Sequence, residues 1–345
     1  MVGVRKRGEE IRQFILDNVA KRPFLDISKT VADVFDISRQ AVNRHIRKLV
    51  DKNLLEISGS PRKPRYNLKP IFLWKHTYPL DGKLEEDRVW RADIAPHLGE
   101  LPRNVIDILH YGFTEILNNA IDHSGGVSVI IHVNLTASAV EIVIQDNGEG
   151  IFKKIKNALN LLDERESVLE LAKGKLTTDP SRHSGEGIFF TSRAFDEFTI
   201  MSGGVLFNHV FGKDEDWIHE IGFNAVLGTS VHMSLNIHAD RTLKSVFDQF
   251  TSGDDFAFSK TIVPVELAQY GNEALMSRSQ AKRVLNRIEK FKTVMFDFAR
   301  VETVGQAFAD EIFRVFANSH PDIELIPINA NPNVQDMINR ALAAR

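Results

Sequence analysis

Asp146-Asn147-Gly148-Glu149-Gly150 is the stretch that decides the fold. It closes an alternating strand pattern, Val140 to Gln145, read V-E-I-V-I-Q. Upstream lies Glu115-Ile116-Leu117-Asn118-Asn119-Ala120-Ile121-Asp122-His123. Downstream come His183-Ser184-Gly185-Glu186-Gly187-Ile188 and Gly228-Thr229-Ser230-Val231. One acidic, glycine-rich turn is weak evidence, because such turns are common. Four ordered elements of this kind point to a nucleotide pocket.

The surroundings support that reading. Asp107 to His123 has helical spacing, with Ile108, Leu109, Phe113, Ile116, Leu117 and Ala120 on its buried side. Glu115 and Asn119 are four apart and share one face, which alone would read as a solvated stripe. Val127 to Leu135 and Ala139 to Gln145 alternate as the strands of a hairpin, and Asp146 sits where the second ends. Gly148 and Gly150 let the chain turn sharply and approach a ligand. Phe152 to Lys173 is helical and charged, and residues 174–182 are loop-like. Gly185 and Gly187 then lead into a helix from Ile188 to Ala194, and backbone N–H groups at such a start favour phosphate. Strand patterns follow at 197–211 and 229–236.

From about residue 85 to 238 this set resembles the GHKL ATPases: gyrase, heat-shock chaperone, histidine kinase and mismatch-repair ATPases, with the anti-sigma-factor serine kinases. The resemblance implies a Bergerat-type α/β sandwich that holds ATP between helices and a mixed sheet. It implies that Asn119 holds Mg²⁺ and that Glu115 is the catalytic group polarising the attacking water or hydroxyl. Asp146 would accept from the adenine amino group, with Gly148 and Gly150 shaping that end and Thr229 supporting it. Gly185 and Gly187 would cradle phosphates from a mobile lid, residues 151–184. Each role suits its residue. Asn offers a neutral oxygen to a hard cation, and a carboxylate near the γ-phosphate can take a proton. Phosphoryl transfer needs mainly positioning and charge neutralisation. Lys175 and Arg182 offer the lid positive charge or mere solubility, and His123 and His183 read as surface or supporting groups. The two-helix segment that carries the phosphoacceptor histidine in sensor kinases has no counterpart here, and His110 shares the helix of Glu115. The chain therefore looks nearer to the anti-sigma-factor branch or to a regulatory ATPase.

The bulk numbers fit such a protein. The chain has 345 residues, too long for one small core, so two or three domains are expected. It has no cysteine, which excludes disulfides, thiolate metal sites and cysteine nucleophiles and fits a reducing compartment. No apolar run approaches a membrane span and the N-terminus lacks a signal-peptide core, so a cytoplasmic protein without membrane contact is expected. The net charge of -3 hides an asymmetry: residues 1–70 hold 16 Lys+Arg against 8 Asp+Glu, the remainder 27 against 38. A basic head on an acidic body suggests an anionic partner for the head.

The head reads as three helices and a hairpin. Ile11, Phe14, Ile15 and Val19 mark the first helix. Asp26-Ile27-Ser28 starts the second, with Val31, Val34 and Phe35 inward. Ser38 is a suitable N-cap for the third. That helix buries Ala41, Val42, Ile46, Leu49 and Val50 and shows Arg39, Gln40, Asn43, Arg44 and Arg47 outward. Leu54 to Ile57 and Tyr66 to Leu68 flank a turn carrying Arg62, Lys63 and Arg65. This order resembles a winged helix-turn-helix. The resemblance implies double-stranded DNA as partner, the third helix in the major groove, the wing on the backbone, and a homodimer. The implied DNA-binding residues are Ser38, Arg39, Gln40, Asn43, Arg44, Arg47, Arg62, Lys63 and Arg65.

After residue 240 a new alternation begins. Residues 241–258 read as a linker. Thr261 to Leu267, Val294 to Phe298 and Ile323 to Ile328 read as strands, and Arg278 to Phe291, Gly305 to Ala317 and Val334 to Ala343 as helices. The run from Val294 to Ile312, V-M-F-D-F-A-R-V-E-T-V-G-Q-A-F-A-D-E-I, resembles the STAS domains of anti-sigma-factor antagonists, and most closely a divergent STAS-like group of unknown function. That family opens the helix with a phosphorylatable Ser; here the stretch is Gly305-Gln306-Ala307-Phe308, with Thr303 out of register. The implied role is contact with a protein partner, and Asp310 and Glu311 read as a solvated face. The fold class is thus multidomain α+β: a winged helix at 1–70, an ATP-binding domain at 71–240, a linker at 241–258 and a STAS-like domain at 259–345. The expected function is a DNA-binding transcriptional regulator switched by Mg-ATP. The alternative is an anti-sigma-like serine/threonine kinase acting on a separate protein.

Overall fold

The computed structural model describes residues 2–21, 26–60, 63–177, 185–213, 216–220, 226–252, 257–270 and 273–344. Arg62, Arg182 and His183 lie outside these residues, as does the side chain of Lys63.

The head folds as α1 (Val2–Lys21), α2 (Ile27–Phe35) and α3 (Arg39–Asp51), then β1 (Leu55–Ser60) and β2 (Lys63–Leu68) as an antiparallel hairpin. Asp26 caps α2 by accepting from the Lys29 amide at 3.0 Å, and Ser38 caps α3 by accepting from the Ala41 amide at 3.2 Å. Ile11, Ile15, Val19, Val31, Val42, Ile46 and Leu49 form a hydrophobic cluster separate from that of the rest of the chain. Val34, expected inside, is exposed, because Ile27 and Val31 already define the inward face of α2 one turn apart.

A seven-stranded sheet follows. Its strands are β3 (Phe72–Pro79), β4 (Ser128–Leu135), β5 (Ala139–Asp146), β6 (Glu197–Gly203), β7 (Val205–Val210), β8 (Asp216–Glu220) and β9 (Val226–Asn236). They lie in the order β3-β4-β5-β9-β6-β7-β8. Every neighbouring pair is antiparallel, which corrects the mixed sheet implied by resemblance. Tight connections such as residues 136–138 can join only antiparallel neighbours. β4 and β5 bury alternate residues, so one sheet face packs against helices. Those helices are α4 (Glu86–Val89), α5 (Arg103–His123), α6 (Ile151–Leu159), α7 (Glu164–Lys173) and α8 (Gly187–Ala194). All six apolar residues expected to face inward from the Asp107–His123 helix are buried.

The segment expected as a linker is packed structure. It forms α9 (Leu243–Phe250) and the short pair β10 (Thr251–Ser252) and β11 (Ala257–Phe258). Phe250 packs edge-on and Phe258 tilted against Phe189 of α8, with ring centroids 4.9 and 4.6 Å apart, and Phe258 meets Phe291 at 5.3 Å. Phe189, Phe190, Phe247, Phe250, Phe258 and Phe291 pack together, so this segment is not a free tether. The last unit comprises β12 (Lys260–Pro264), α10 (Arg278–Leu285), β13 (Thr293–Asp297), α11 (Gln306–Asp310), α12 (Ala317–Ser319), β14 (Glu324–Ile328) and α13 (Pro332–Ala343). Its three strands are parallel in the order β12-β13-β14, which suits the apolar run Val294 to Phe298 at the centre.

Candidate functional site

Asp146 is the last residue of β5, and its side chain is buried. Its Oδ1 accepts from the Gly148 amide at 2.8 Å and the Thr229 amide at 3.2 Å. Burial pushes the carboxyl above its ordinary range, against those backbone bonds. The turn that follows has little room. A Cβ on Gly148 would lie 2.0 Å from the Ser124 carbonyl oxygen, at the end of α5. Gly150 has φ 91° and opens α6, where the Ile151 amide donates to Thr229 Oγ1 at 3.0 Å. Asn147, which the motif reading passed over, accepts from the Val127 and Ser128 amides at 2.9 and 3.0 Å and pins the turn to the start of β4.

Glu115 and Asn119 line the same cavity from α5. Gly187 opens α8 directly against Glu115: a Cβ there would sit 1.9 Å from Glu115 Oε2. The carboxylate thus lies at the helix start that the sequence reading reserved for phosphate, where the helix dipole favours negative charge. Tyr111, one turn before Glu115, is held un-ionised above its ordinary range by burial and by the charges of Glu115 and Glu186. Burial also raises Glu186, against the nearby Lys175 ammonium.

The cavity encloses about 280 Å³ and is walled by α5, β5, α6, β9, the start of α8 and the end of α7. Glu115, Asn119, Asp146, Gly150, Gly185, Gly187 and Thr229 all line it, and Gly148 holds the turn behind it. The four sequence elements therefore converge on one cavity. Lys154 is the one Lys or Arg among the described lining residues, and the sequence reading missed it. Its ammonium donates to the His123 carbonyl at 2.6 Å, near Asn119. Its position in the first turn of the helix after Gly150 was the available signal. His123 also lines the cavity.

Of the expected lid, residues 151–184, the described part ends at residue 177. α7 is no open flap, because all residues from Ser167 to Lys173 are buried. Lys175, read as either a phosphate-facing charge or a solubilising one, instead donates to the Lys290 carbonyl at 2.9 Å and sits 4.8 Å over the Phe291 ring.

Two family models match the chain. Residues 82–207 match the histidine kinase-like ATPase domain. The match takes in β4, β5, β6, the start of β7 and the cavity residues from Glu115 to Phe189, while β3, β8, β9 and Thr229 lie outside it. Residues 280–335 match a STAS-like domain of unknown function. No curated protein and no solved structure matches the chain. In the STAS-like domain, a Cβ on Gly305 would lie 2.8 Å from the Met276 carbonyl oxygen, so the start of α11 has no room for a side chain of any kind. Asp310 is ion-paired to Arg314 one turn on, and its side chain and that of Glu311 are only 18% and 12% exposed, so the face expected to be solvated is largely covered.

On the head, Ser38, Arg39, Gln40, Asn43, Arg44 and Arg47 are exposed along α3, and Arg65 is exposed on β2. The Ser38 hydroxyl is occupied as the cap, and Asn43 Oδ1 accepts from Ser28 Oγ at 3.2 Å. His45, between these residues on α3, is pushed below its ordinary pKa by burial and then by Arg12, Lys48 and Arg44. Among the described residues no helix is long and apolar enough to cross a membrane.

Proposed function

We propose that the chain is an ATP-binding, DNA-binding regulator whose central domain takes up Mg-ATP and shifts between two conformations. The observation that carries the nucleotide reading is the convergence of Glu115, Asn119, Asp146, Gly150, Gly185, Gly187 and Thr229 on one cavity, all but Thr229 inside residues that match an ATPase domain. The residues fit the group. Asp146, held between two amides, is an acceptor for an exocyclic amino group. The Asn119 carboxamide is an oxygen ligand for Mg²⁺, which retains waters and takes its other ligands from phosphate. Lys154 is within the cavity to offset phosphate charge, since Lys175 is committed elsewhere. Bound Mg-ATP would supply the transferable phosphoryl group, and Glu115 is the base beside it.

The DNA reading rests on the exposed row Arg39, Gln40, Asn43, Arg44 and Arg47, and on the excess of 16 basic over 8 acidic residues in residues 1–70. A helix carrying such a row suits base edges and phosphates of a major groove, and two-fold operators would call for a homodimer. A second reading is phosphoryl transfer to a hydroxyl of a separate protein, favoured by the Glu115 carboxylate inside the cavity. One assay separates the two. With Mg²⁺ and γ-labelled ATP, free phosphate identifies an ATPase and a labelled partner identifies a kinase. No retained or released label, together with no heat of ATP binding by calorimetry, refutes the nucleotide site itself.

A further inference from the structure

Helix α7 faces two ways. Leu171 lines the nucleotide cavity, and Leu176 and Thr177 just beyond α7 continue that wall. On its other side lies Lys173, whose side chain is 1% exposed. An ammonium withdrawn from water is costly unless its donors are met. Here all three N–H groups find an acceptor: Glu170 Oε1 at 2.7 Å, the Arg283 carbonyl at 3.0 Å and the Asn286 carbonyl at 2.9 Å. The last two belong to the end of α10, in the STAS-like domain. Carbonyls at a helix C-terminus lack partners within the helix and favour a cation. Lys173 of the nucleotide domain is thus the C-terminal cap of a helix in its neighbour.

The same contact is closed by other bonds. Glu170, also buried, accepts from Arg287 Nη1 at 3.0 Å and Asn286 Nδ2 at 3.2 Å. Thr261 Oγ1 of β12 donates to the Lys173 carbonyl at 2.6 Å. Arg287 donates to the Lys175 carbonyl, and Lys175 is tied back to Lys290 and Phe291. Farther up α7, Arg165 Nη2 donates to the Gln269 carbonyl at 3.0 Å. Successive turns of one cavity-lining helix are therefore fastened to the STAS-like domain.

We infer that the STAS-like domain works as a clamp on the nucleotide pocket: through the Lys173–Glu170–Arg287 cluster it sets the position of α7, and hence ATP affinity. The inference rests on the ATP reading of the cavity. The coupling is reciprocal, so ATP tightens the α10–Phe291 segment as that segment tightens the pocket. Its first partner is the nucleotide domain of its own chain.

The test uses the full chain, with ATP affinity measured by calorimetry for the wild type, Lys173→Met, Arg287→Met and a control, Phe313→Leu. The control loosens the STAS-like core away from the clamp. Thermal melts confirm that each variant is folded. Both clamp variants should bind ATP about 5- to 150-fold more weakly, the range of ordinary site-to-site coupling, while the control binds like the wild type. A second measurement needs no variant: ATP should slow amide hydrogen exchange in residues 283–291 as well as in residues 171–177. Wild-type binding with unchanged affinity in both clamp variants overturns the clamp and leaves the pocket intact, as does exchange at 283–291 that ignores ATP. Absence of binding in the wild type overturns the pocket reading first and the clamp with it.

Discussion

The nucleotide domain meets its two neighbours in opposite ways. Towards the STAS-like domain the boundary has vanished into one hydrophobic cluster, with Phe189, Phe190, Phe250, Phe258 and Phe291 packed across it and Lys173 sealed inside. Towards the head the described contact is small, made by Asp17 and Ala137. Asp17 Oδ1 of α1 accepts from Ser138 Oγ at 2.6 Å and from Asn236 Nδ2 at 3.2 Å, while Ala137 touches the separate cluster of the head. The chain passes between them at residues 69–71, where the Lys69 amide donates to Leu54 and the Ile71 amide to Leu135. Apolar packing binds two domains into one cooperative block; a few polar bonds at a turn hold a head that can be reseated. Under the proposed function, such a regulator would read nucleotide in the block and report it at the head.

The sharpest attack on that contrast is Phe258→Ala. Truncating a core Phe costs about 3–5 kcal/mol. Because Phe258 is shared, calorimetry should show the nucleotide and STAS-like domains melting together at a lower temperature, with the transition of the head unmoved. Separate shifts for the two domains would break the single-block picture.

Asp146→Ala comes next. Loss of a buried, charged acceptor should weaken ATP binding about 100-fold. In the wild type, ATP at 100 times its Kd should stabilise the block by about 2.7 kcal/mol and leave the head transition where it was; the variant should show no such shift. pH sharpens the point. Binding an amino donor needs the Asp146 carboxylate ionised, and burial raises its pKa. Affinity should therefore be full near neutrality and fall as pH drops through that raised pKa, above the ordinary Asp range of about 3.9. Affinity that persists to pH 4 would refute the assignment of Asp146 to the base.

The same contrast explains what was legible in the sequence. Sites built from local chemistry were readable. The alternation of Val140 to Gln145 fixed which strand end carries Asp146, and the spacing of Glu115 and Asn119 placed both in the cavity. The inter-domain seam was not. The run from Glu164 to Lys173 looks like a solvated lid, because Glu170 and Lys173 find their partners more than a hundred residues away. Phe250 and Phe258 are hidden around a polar Thr251-Ser252-Gly253-Asp254-Asp255 break that reads as a tether. β3 escaped because Lys75, His76 and Thr77 interrupt its apolar pattern, as suits an edge strand. Lys154 looked like one charge among several on a surface helix.

A smaller effect is expected at the far end of the molecule. Arg44→Ala with Arg47→Ala should weaken duplex DNA binding and flatten its dependence on salt by about two units of log–log slope, one for each lost phosphate contact. ATP affinity should stay unchanged in the absence of DNA. Duplex binding that ignores salt, or survives both changes, would remove the head from DNA.

The smallest effect tests the seat itself. Asp17→Ala removes one acceptor serving the buried Ser138 and the half-buried Asn236, so the cost to stability should be about 1–3 kcal/mol. Its consequence for coupling should be larger than its consequence for folding. If the turn between β4 and β5 transmits the state of the nucleotide domain, unseating the head should leave ATP affinity and DNA affinity each near wild type. The influence of one ligand on the other should then shrink towards none. The sheet makes this route plausible, because β5 ends in Asp146 at the pocket and begins at Ala139 beside the seat. A rigid strand about 25 Å long joins ligand to head. Undiminished mutual influence of ATP and DNA in Asp17→Ala would show that the signal leaves the block elsewhere, through the covalent link at residues 69–71.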